Sequence, residues 1–194
     1  MIPVLILAAG QSSRMRGIDK LAQIVRGKPL LRHMAAQAAE VGPTFVALHH
    51  QAADRAAFLD GLPVTPLLVR EAAEGQSGTL RGAVAQLPPF DALLVVLADL
   101  PEITAADMAA VIGARATHPD ALIWRGATND GKPGHPILFD GSLRPQFDAL
   151  SGDDGGAAIV KPLTDRTVLV RFADSRARLD LDTPEDWLAW RNGQ

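Results

Sequence analysis

The chain has 194 residues, of which 47% are apolar and 21% charged, with a formal net charge of −3 and no cysteine. Such a length and apolar fraction predict one globular domain spanning residues 1–194. The slightly acidic balance argues against a nucleic-acid-binding surface, which is usually basic. The absence of cysteine excludes disulfides, zinc–thiolate sites and a cysteine nucleophile. No apolar run approaches the roughly 20 residues of a membrane span, and the apolar N-terminal segment lacks the basic start of a signal peptide. We therefore expect a cytoplasmic protein that binds neither membranes nor nucleic acid.

Strand-like and helix-like segments alternate along the first 120 residues. The predicted strands are 4–7, 45–48, 64–69 and 92–98, and the predicted helices are 29–39, 52–59, 79–87 and 105–116. This alternation predicts a mostly parallel sheet with right-handed crossovers. The segment 92–98 (ALLVVLA) is the most apolar, so we expect it to be a central strand that is buried on both faces.

The alternation ends after residue 120. Short strands at 121–125 and 134–139 flank a turn-rich segment, which predicts a hairpin or a small β-lobe. Three further elements follow, a helix at 143–150, a short helix at 157–161 and a strand at 167–172. The final helix begins at Thr183-Pro184, a strong start signal, and we expect its packing face to consist of Trp187, Leu188 and Trp190. The predicted fold class is α/β, a Rossmann-like, mostly parallel sheet flanked by helices, with a small β-hairpin lobe.

A small-residue loop follows the first strand. Ala8, Ala9 and Gly10 leave room for a ligand close to the backbone, and Gly10 permits backbone angles closed to other residues. Hydroxyl donors and two cations follow within one loop, at Ser12, Ser13, Arg14 and Lys20. Converging amides, little bulk and positive charge suit a polyphosphate. The loop matches neither the P-loop nor the dinucleotide fingerprint, and an ordinary strand-to-helix turn remains an alternative.

Two aspartates are candidate metal ligands. Asp99 follows the most apolar strand directly, at the edge where open α/β sheets bind ligands; the alternative is a cap for the following turn. Asp182 precedes the last helix, and Asp180, two residues earlier, would point the same way along an extended strand. Spacing alone leaves either of these two aspartates able to reach the site, and leaves Asp182 equally open to a purely structural place before the helix.

The motifs together resemble one known family. LAAG-x-S-S-R-M at 7–15, Lys20-Leu21, GKPLL at 27–31, ADLP at 98–101, GHP at 134–136 and DTPED at 182–186 occur in this order. They are similar to the nucleotidyltransferases of molybdenum cofactor synthesis, the cytidylyl- and guanylyltransferases that join a nucleotide to molybdopterin. Arg16 stands before Gly17, where the simplest form of the motif has glycine directly after Arg-Met. The resemblance implies a fold like that of nucleotide-diphospho-sugar transferases.

The resemblance also implies roles for individual residues. Catalysis would involve Arg14, Lys20 and Asp99, and Mg²⁺ would be held by Asp99 and Asp182. The segment 75–81 (GQSGTLR) resembles the loop that meets the nucleobase. The nucleotide would be bound by Leu7, Ala8, Ala9, Gly10, Ser12, Ser13, Arg14, Lys20, Ser77 and Gly78. The acceptor substrate would meet Gly134, His135 and Pro136, and the backbone of 153–156 (DDGG) would line the acceptor pocket. A structural role remains the alternative for Ser77, as a helix cap, and for His135.

The implied reaction is nucleotidyl transfer. A nucleoside triphosphate and the phosphate of molybdopterin would be the substrates, with a molybdenum enzyme as a possible partner. The second alanine of LAAG resembles the cytidylyl branch, whereas guanylyl enzymes tend to have LAGG, so we rank CTP above GTP. Three alternatives remain: a guanylyltransferase on the same acceptor, a nucleotidyltransferase on another phosphorylated small molecule, and a non-catalytic carrier of the molybdenum cofactor.

Overall fold

The computed structural model describes residues 1–152 and 154–193, and its strands and helices alternate as predicted. The strands are β1 (Val4–Leu7), β2 (Ile24–Val25), β3 (Lys28–Pro29), β4 (Thr44–His49), β5 (Val64–Val69), β6 (Ala92–Leu97), β7 (Ile123–Ala127), β8 (Pro133–Asp140) and β9 (Thr167–Arg171). The helices are α1 (Leu30–Ala39), α2 (Ala53–Ala57), α3 (Gln76–Ala85), α4 (Ala105–Thr117), α5 (Arg144–Asp148), α6 (Ala157–Val160) and α7 (Pro184–Asn192).

The central sheet has seven strands in the order β5-β4-β1-β6-β8-β7-β9. Only β8 runs against the others, since it pairs antiparallel with both β6 and β7. The predicted mostly parallel sheet and the central place of β6 are confirmed. Because parallel strands end at the same edge, the residues that follow β1 and β6 meet there. The reversed β8 brings its first residues to that same edge.

Apolar side chains cover both faces of the sheet. Val4 and Ile6 of β1 pack in one cluster with residues of α1, α4 and α7. Leu5 points the other way and packs with residues of α3, α5 and α6. This alternation follows from the two-residue period of a strand. The ends of β1 and β6 are thereby held rigidly from both sides.

The predicted hairpin is present as β7 and β8, but it extends the central sheet instead of forming a separate lobe. A small two-stranded sheet does exist elsewhere, between β2 and β3. The hairpin joins the central sheet because β8 pairs with β6, a strand that is distant from it in the sequence. The sequence of the hairpin alone does not reveal that neighbour.

Two helices begin with the predicted caps. Thr104 and Thr183 each form a capping box with the aspartate three residues later, at the starts of α4 and α7, which satisfies free amides at the helix end. In α7, Trp187 is buried as predicted, but Leu188 is 62% exposed, so its predicted packing role is wrong. Among the described residues, no helix has the length and apolar character needed to cross a membrane.

Candidate active site

A cavity of about 440 Å³ opens at the carboxyl ends of β1 and β6. Its wall contains most of the predicted phosphate loop and Asp99, together with residues around the start of α3. The lining residues are Leu7, Ala8, Ala9, Gly10, Gln11, Lys20, Leu21, Ala72, Ala73, Gly75, Gln76, Thr79, Leu97, Ala98 and Asp99. The place of the cavity is that of ligand sites in open α/β sheets.

The loop after β1 offers free backbone amides. The amide of Ala8 donates to the carbonyl of Ala47 at 2.9 Å and continues the sheet. Within the described parts of the chain, the next four amides, at 9–12, donate to no protein acceptor. Successive free amides beside an open cavity form a cradle for an anion.

The role of Gly10 in this loop differs from the expectation. Its φ is not positive, and a Cβ placed there would meet nothing within 4 Å. Unusual backbone angles are instead adopted by Ser12 and Arg16, both with a φ of 53°, and by Gly17. The turn is completed two residues beyond Gly10. Gly10 therefore contributes open space toward the cavity, not a special backbone conformation.

Lys20 lies between the two predicted metal ligands. Its Nζ donates to Asp99 Oδ2 at 2.5 Å and to Asp182 Oδ1 at 2.7 Å. Arg14 Nη1 contacts the other oxygen of Asp182 at 2.5 Å. Four residues from three distant parts of the sequence thus form one charge cluster. Asp180 is exposed, whereas Asp182 is partly buried. The segment before α7 is not a strand, so the expectation that the two acids point the same way does not hold there.

The electrostatics of this cluster favour its charged forms. Burial by itself lowers the pKa of Lys20, but the carboxylates of Asp99 and Asp182 outweigh it, so that pKa lies above its ordinary value. Burial raises the pKa of Asp182, but Lys20 and Arg14 outweigh it and hold that pKa below its usual range. The Lys20 side chain is therefore protonated at neutral pH, and its ammonium group is the counter-ion of both carboxylates.

The acid pair fits a divalent cation. Asp99 Oδ1 is buried and has no hydrogen-bond partner, which is costly for a carboxylate oxygen unless a ligand meets it. The described residues contain no group of three or more acidic or histidine side chains that would form an all-protein cage. Mg²⁺ is usually held by one or two carboxylates with waters and substrate phosphates, so this donor set suits it.

Arg55 binds the loop after β1 on the side away from the cavity, and it was not predicted from the sequence. The residue as a whole is only 8% exposed. It donates to both oxygens of Asp19 at 2.8 and 2.9 Å and to the carbonyl of Ala8 at 2.6 Å. Ser12 Oγ accepts from the amide of Lys20 at 3.2 Å. No sequence signal marks Arg55, since it lies in a short helix 36 residues from Asp19.

The second small-residue loop has mainly structural contacts. Ser77 is fully buried, its Oγ donates to the carbonyl of Ser151 at 3.2 Å, and it accepts from the amide of Gly155 at 3.0 Å. A Cβ on Gly78 would overlap the carbonyl of Glu71. Neither Ser77 nor Gly78 lines the cavity, and the base-contact role expected of them stays a prediction. Their neighbours Gly75, Gln76 and Thr79 line it instead.

The predicted residues not yet described lie apart from the charge cluster. Ser13 is exposed beside the loop. A Cβ on Gly134 would overlap the carbonyl of Ala177, so Gly134 allows two segments to pack. His135 lines a second, smaller cavity, whereas Gly134 and Pro136 line neither. Asp153, expected at the acceptor pocket, lies outside the described residues.

Comparison with known proteins identifies the family. A sequence profile of the MobA-like NTP transferase domain matches residues 4–168. The chain belongs to the MobA-like NTP transferase family. A molybdenum cofactor guanylyltransferase from Ralstonia pickettii is 30% identical over 200 residues, which cover 94% of this chain and 92% of that protein. This MobA-like chain is therefore a nucleotidyltransferase.

Other relatives share part of the chain or the fold. The bifunctional protein GlmU of Sinorhizobium fredii is 32% identical over 145 residues, and the match covers 72% of this chain. The chain spans about a third of that protein's length, since the match covers 32% of it. The crystal structure of Rv0371c from Mycobacterium tuberculosis superimposes with a TM-score of 0.80 at 24% identity, covering 98% of this chain and 97% of the other. The nucleotide-diphospho-sugar-transferase-like fold is confirmed.

Proposed function

We propose that this MobA-like transferase transfers CMP from CTP to the terminal phosphate of molybdopterin and releases pyrophosphate. The observation that carries the proposal is the ammonium of Lys20 between Asp99 and Asp182, beside a cradle of free amides. The relative of similar length is named a molybdenum cofactor guanylyltransferase, which supports molybdopterin as the acceptor.

The chemistry requires positioning and charge neutralisation, not a general base. A phosphate monoester has a second pKa of about 6 and is largely dianionic at neutral pH. One of its oxygens attacks the α-phosphorus in line, the bond from the α-phosphorus to the bridging oxygen breaks, and pyrophosphate leaves with that oxygen. The amides at 9–12, Arg14 and Lys20 would bind the leaving pyrophosphate. Because the pKa of Lys20 is raised, it donates hydrogen bonds throughout without losing its proton.

Asp99 and Asp182 are the residues that would hold Mg²⁺. When bound, Mg²⁺ would supply charge neutralisation at the reacting phosphates. A crystal structure of Rv0371c contains manganese, and that protein has 23% identity to this chain. In this chain, the two carboxylates converge on one point now taken by Lys20 Nζ, which would move to the phosphates.

The choice of base rests on Ala9. This residue lines the cavity and is 6% exposed, so its methyl group reduces the space beside the loop. Discrimination by size in a pocket is worth about 1–3 kcal/mol. We expect CTP to be preferred over GTP, and Ala9→Gly to shift the ratio of kcat/KM for CTP over GTP toward GTP.

The test is pyrophosphate release with Mg²⁺ and each of CTP, GTP, ATP and UTP, with and without molybdopterin. We expect release with CTP that depends on molybdopterin and falls roughly 10²- to 10³-fold in Asp99→Asn, as for other lost charge-stabilising groups. Asp180→Asn is the matched control, because Asp180 is exposed and should leave turnover unchanged.

Three outcomes would contradict this proposal. Greater release with GTP than with CTP would make the chain a guanylyltransferase. Binding of molybdopterin with no release from any nucleotide would favour a carrier. Near-normal turnover of Asp99→Asn would show that the charge cluster is not the catalytic site.

A further inference from the structure

A second cavity of about 120 Å³ adjoins the first, and Leu7 and Gln76 line both. Its apolar wall comes from β1, β6, β8, α3 and α6, and its polar groups include Arg125 of β7 and His135 of β8. A small group held here would lie next to the nucleotide cavity. Neither the family resemblance nor the charge cluster assigns a role to Arg125.

Arg125 is a partly buried cation without a counter-ion in the described parts of the chain. Its Nε and Nη2 donate to the carbonyl of Gly134 at 3.1 and 2.9 Å. A guanidinium has five N–H donors, so donors remain after this carbonyl is satisfied. Burial lowers the pKa of Arg125, and the nearby charge of Arg178 lowers it further. A partly buried cation with no ion-pair partner among the described residues has donors available for an anionic ligand.

His135 supplies an independent observation. Its Nδ1 is buried and has no hydrogen-bond partner among the residues described. An unpaired ring nitrogen of this kind costs free energy unless a ligand atom reaches it. The acid at the cavity rim, Asp154, is already paired with Lys161 at 3.2 Å, and both side chains are largely exposed. The interior of the cavity therefore presents a cation and an unused ring nitrogen.

We propose that this second cavity binds the phosphate monoester of the acceptor, with the free N–H groups of Arg125 donating to its non-attacking oxygens. His135 Nδ1, an acceptor in the neutral ring, would accept from an O–H or N–H group of the acceptor beside that phosphate. This inference rests on the proposed nucleotidyl transfer to a phosphorylated acceptor. Arg125 orients the phosphate while leaving one oxygen directed at the neighbouring nucleotide cavity. A guanidinium suits this task because it binds phosphate in a fixed, forked geometry.

Calorimetric titration with inorganic phosphate tests the subsite without the reaction. We expect Arg125→Met to weaken phosphate binding roughly 10- to 100-fold, the worth of one charge-assisted pair. Arg166→Met is the matched control, since Arg166 also donates to a backbone carbonyl, that of Asp120 at 2.8 Å, and lies outside the cavity. Lys20→Met distinguishes phosphate binding in the first cavity from binding in the second, because Lys20 lines only the first.

A second variant covers the case in which Arg125→Met is too unstable to measure. Ala157 is exposed and lines the cavity, so Ala157→Glu places a carboxylate at the mouth without disturbing the core. We expect it to abolish phosphate binding. The proposal is overturned if the wild-type chain does not bind phosphate. It is also overturned if Arg125→Met is folded and binds phosphate as tightly as wild type while Lys20→Met has lost phosphate binding. If Arg125→Met does not fold, the same result for Ala157→Glu overturns the proposal.

Kinetics then separate this inference from the proposed function. With molybdopterin and CTP, we expect Arg125→Lys to raise the KM for molybdopterin several-fold and to leave the KM for CTP unchanged. An unchanged KM for molybdopterin in an active enzyme overturns the subsite and leaves the transferase assignment intact. A wild-type chain that binds phosphate through Arg125 yet gives no product with molybdopterin overturns the acceptor assignment alone.

Discussion

Two buried cations hold the loop after β1 from opposite sides. Lys20 faces the cavity and pairs with Asp99 and Asp182. Arg55 lies behind the loop and pairs with Asp19, whose pKa it holds below the usual range against the raising effect of burial. The first cation faces the space that a ligand would occupy, and the second binds the carbonyl of Ala8 and the carboxylate of Asp19 on the other side of the loop.

Removal of Arg55 should therefore affect both stability and nucleotide binding. We expect Arg55→Met to lower the free energy of unfolding by about 2–4 kcal/mol, because Asp19 is left without its partner in a partly buried position. The KM for CTP should rise more than kcat falls, since the chemical groups remain. Urea unfolding and steady-state kinetics measure the two effects.

Arg32→Met is the control for that experiment. Arg32 also donates to backbone carbonyls, those of Phe58 and Asp60 at 2.9 and 2.8 Å, but does not touch the loop. It should lose stability without a change in the KM for CTP. Equal KM values in the two variants would contradict a positioning role for Arg55.

His135 should make stability depend on pH. Burial, together with the charge of Arg125, lowers its pKa from 6.5 to about 4. Between these values the unfolded chain binds a proton that the folded chain does not, so stability falls as pH falls through this window. The contribution of His135 should make the wild type about 2 kcal/mol less stable at pH 5 than at pH 7.

The variant His135→Gln isolates this contribution. Urea unfolding at pH 5 and pH 7 should show a smaller difference for the variant by about the same 2 kcal/mol. The other titrating groups are common to both proteins and cancel in the comparison. Identical pH slopes would mean that His135 titrates normally in the folded chain.

At the scale of elements, the first half of the chain was more predictable than the second. The strand at 64–69 matches β5 residue for residue, and 92–98 matches β6 within one residue, because continuous apolar runs and turn residues mark them. The sequence predicts that α3 begins at 79, but it begins at Gln76. The segment 75–78 reads as a loop because glycine favours loops, whereas here Gly78 permits close packing against the turn before the helix.

Two glycine substitutions in helices should therefore have opposite effects. Gly78→Ala would force a Cβ into the carbonyl of Glu71, so we expect a loss of stability of about 3 kcal/mol or more. Gly113→Ala adds a Cβ that meets nothing within 4 Å in α4, and should gain about 0.5–1 kcal/mol from helix propensity. Thermal unfolding of the two variants shows whether each change in stability has the expected direction. An unchanged stability of Gly78→Ala would contradict the close contact between Gly78 and the carbonyl of Glu71.

At the scale of the whole molecule, the active site is assembled from segments that span almost the entire sequence. The ordered motifs brought Lys20, Asp99 and Asp182 to attention, and the structure places them in contact. Arg55 and Arg125 could not be found in this way, because their partners lie 36 and 9 residues away and no local pattern announces such contacts. The sequence motifs therefore predicted the charge cluster but neither of these two arginines.

The last helix holds one of these residues in place. The amide of Asp182 donates to Asp186 Oδ2 at 3.2 Å, within the capping box that begins α7. Trp187 anchors the helix in the core, and Trp190 Nε1 donates to Glu102 at 2.8 Å. The position of Asp182 thus depends on a nine-residue terminal helix that contributes no side chain to the cavity lining.

This dependence separates inactivation from unfolding. A short helix outside the central sheet can open at a lower free energy than the whole domain, and opening of α7 would withdraw one carboxylate from Lys20 while the sheet remains intact. In rising urea, pyrophosphate release should be lost before the far-ultraviolet circular dichroism signal, together with a change in tryptophan fluorescence as Trp187 and Trp190 meet water. Coincident loss of all three signals would show that α7 unfolds only with the sheet. If pyrophosphate release is lost first, the candidate active site is only as stable as α7, and less stable than the central sheet.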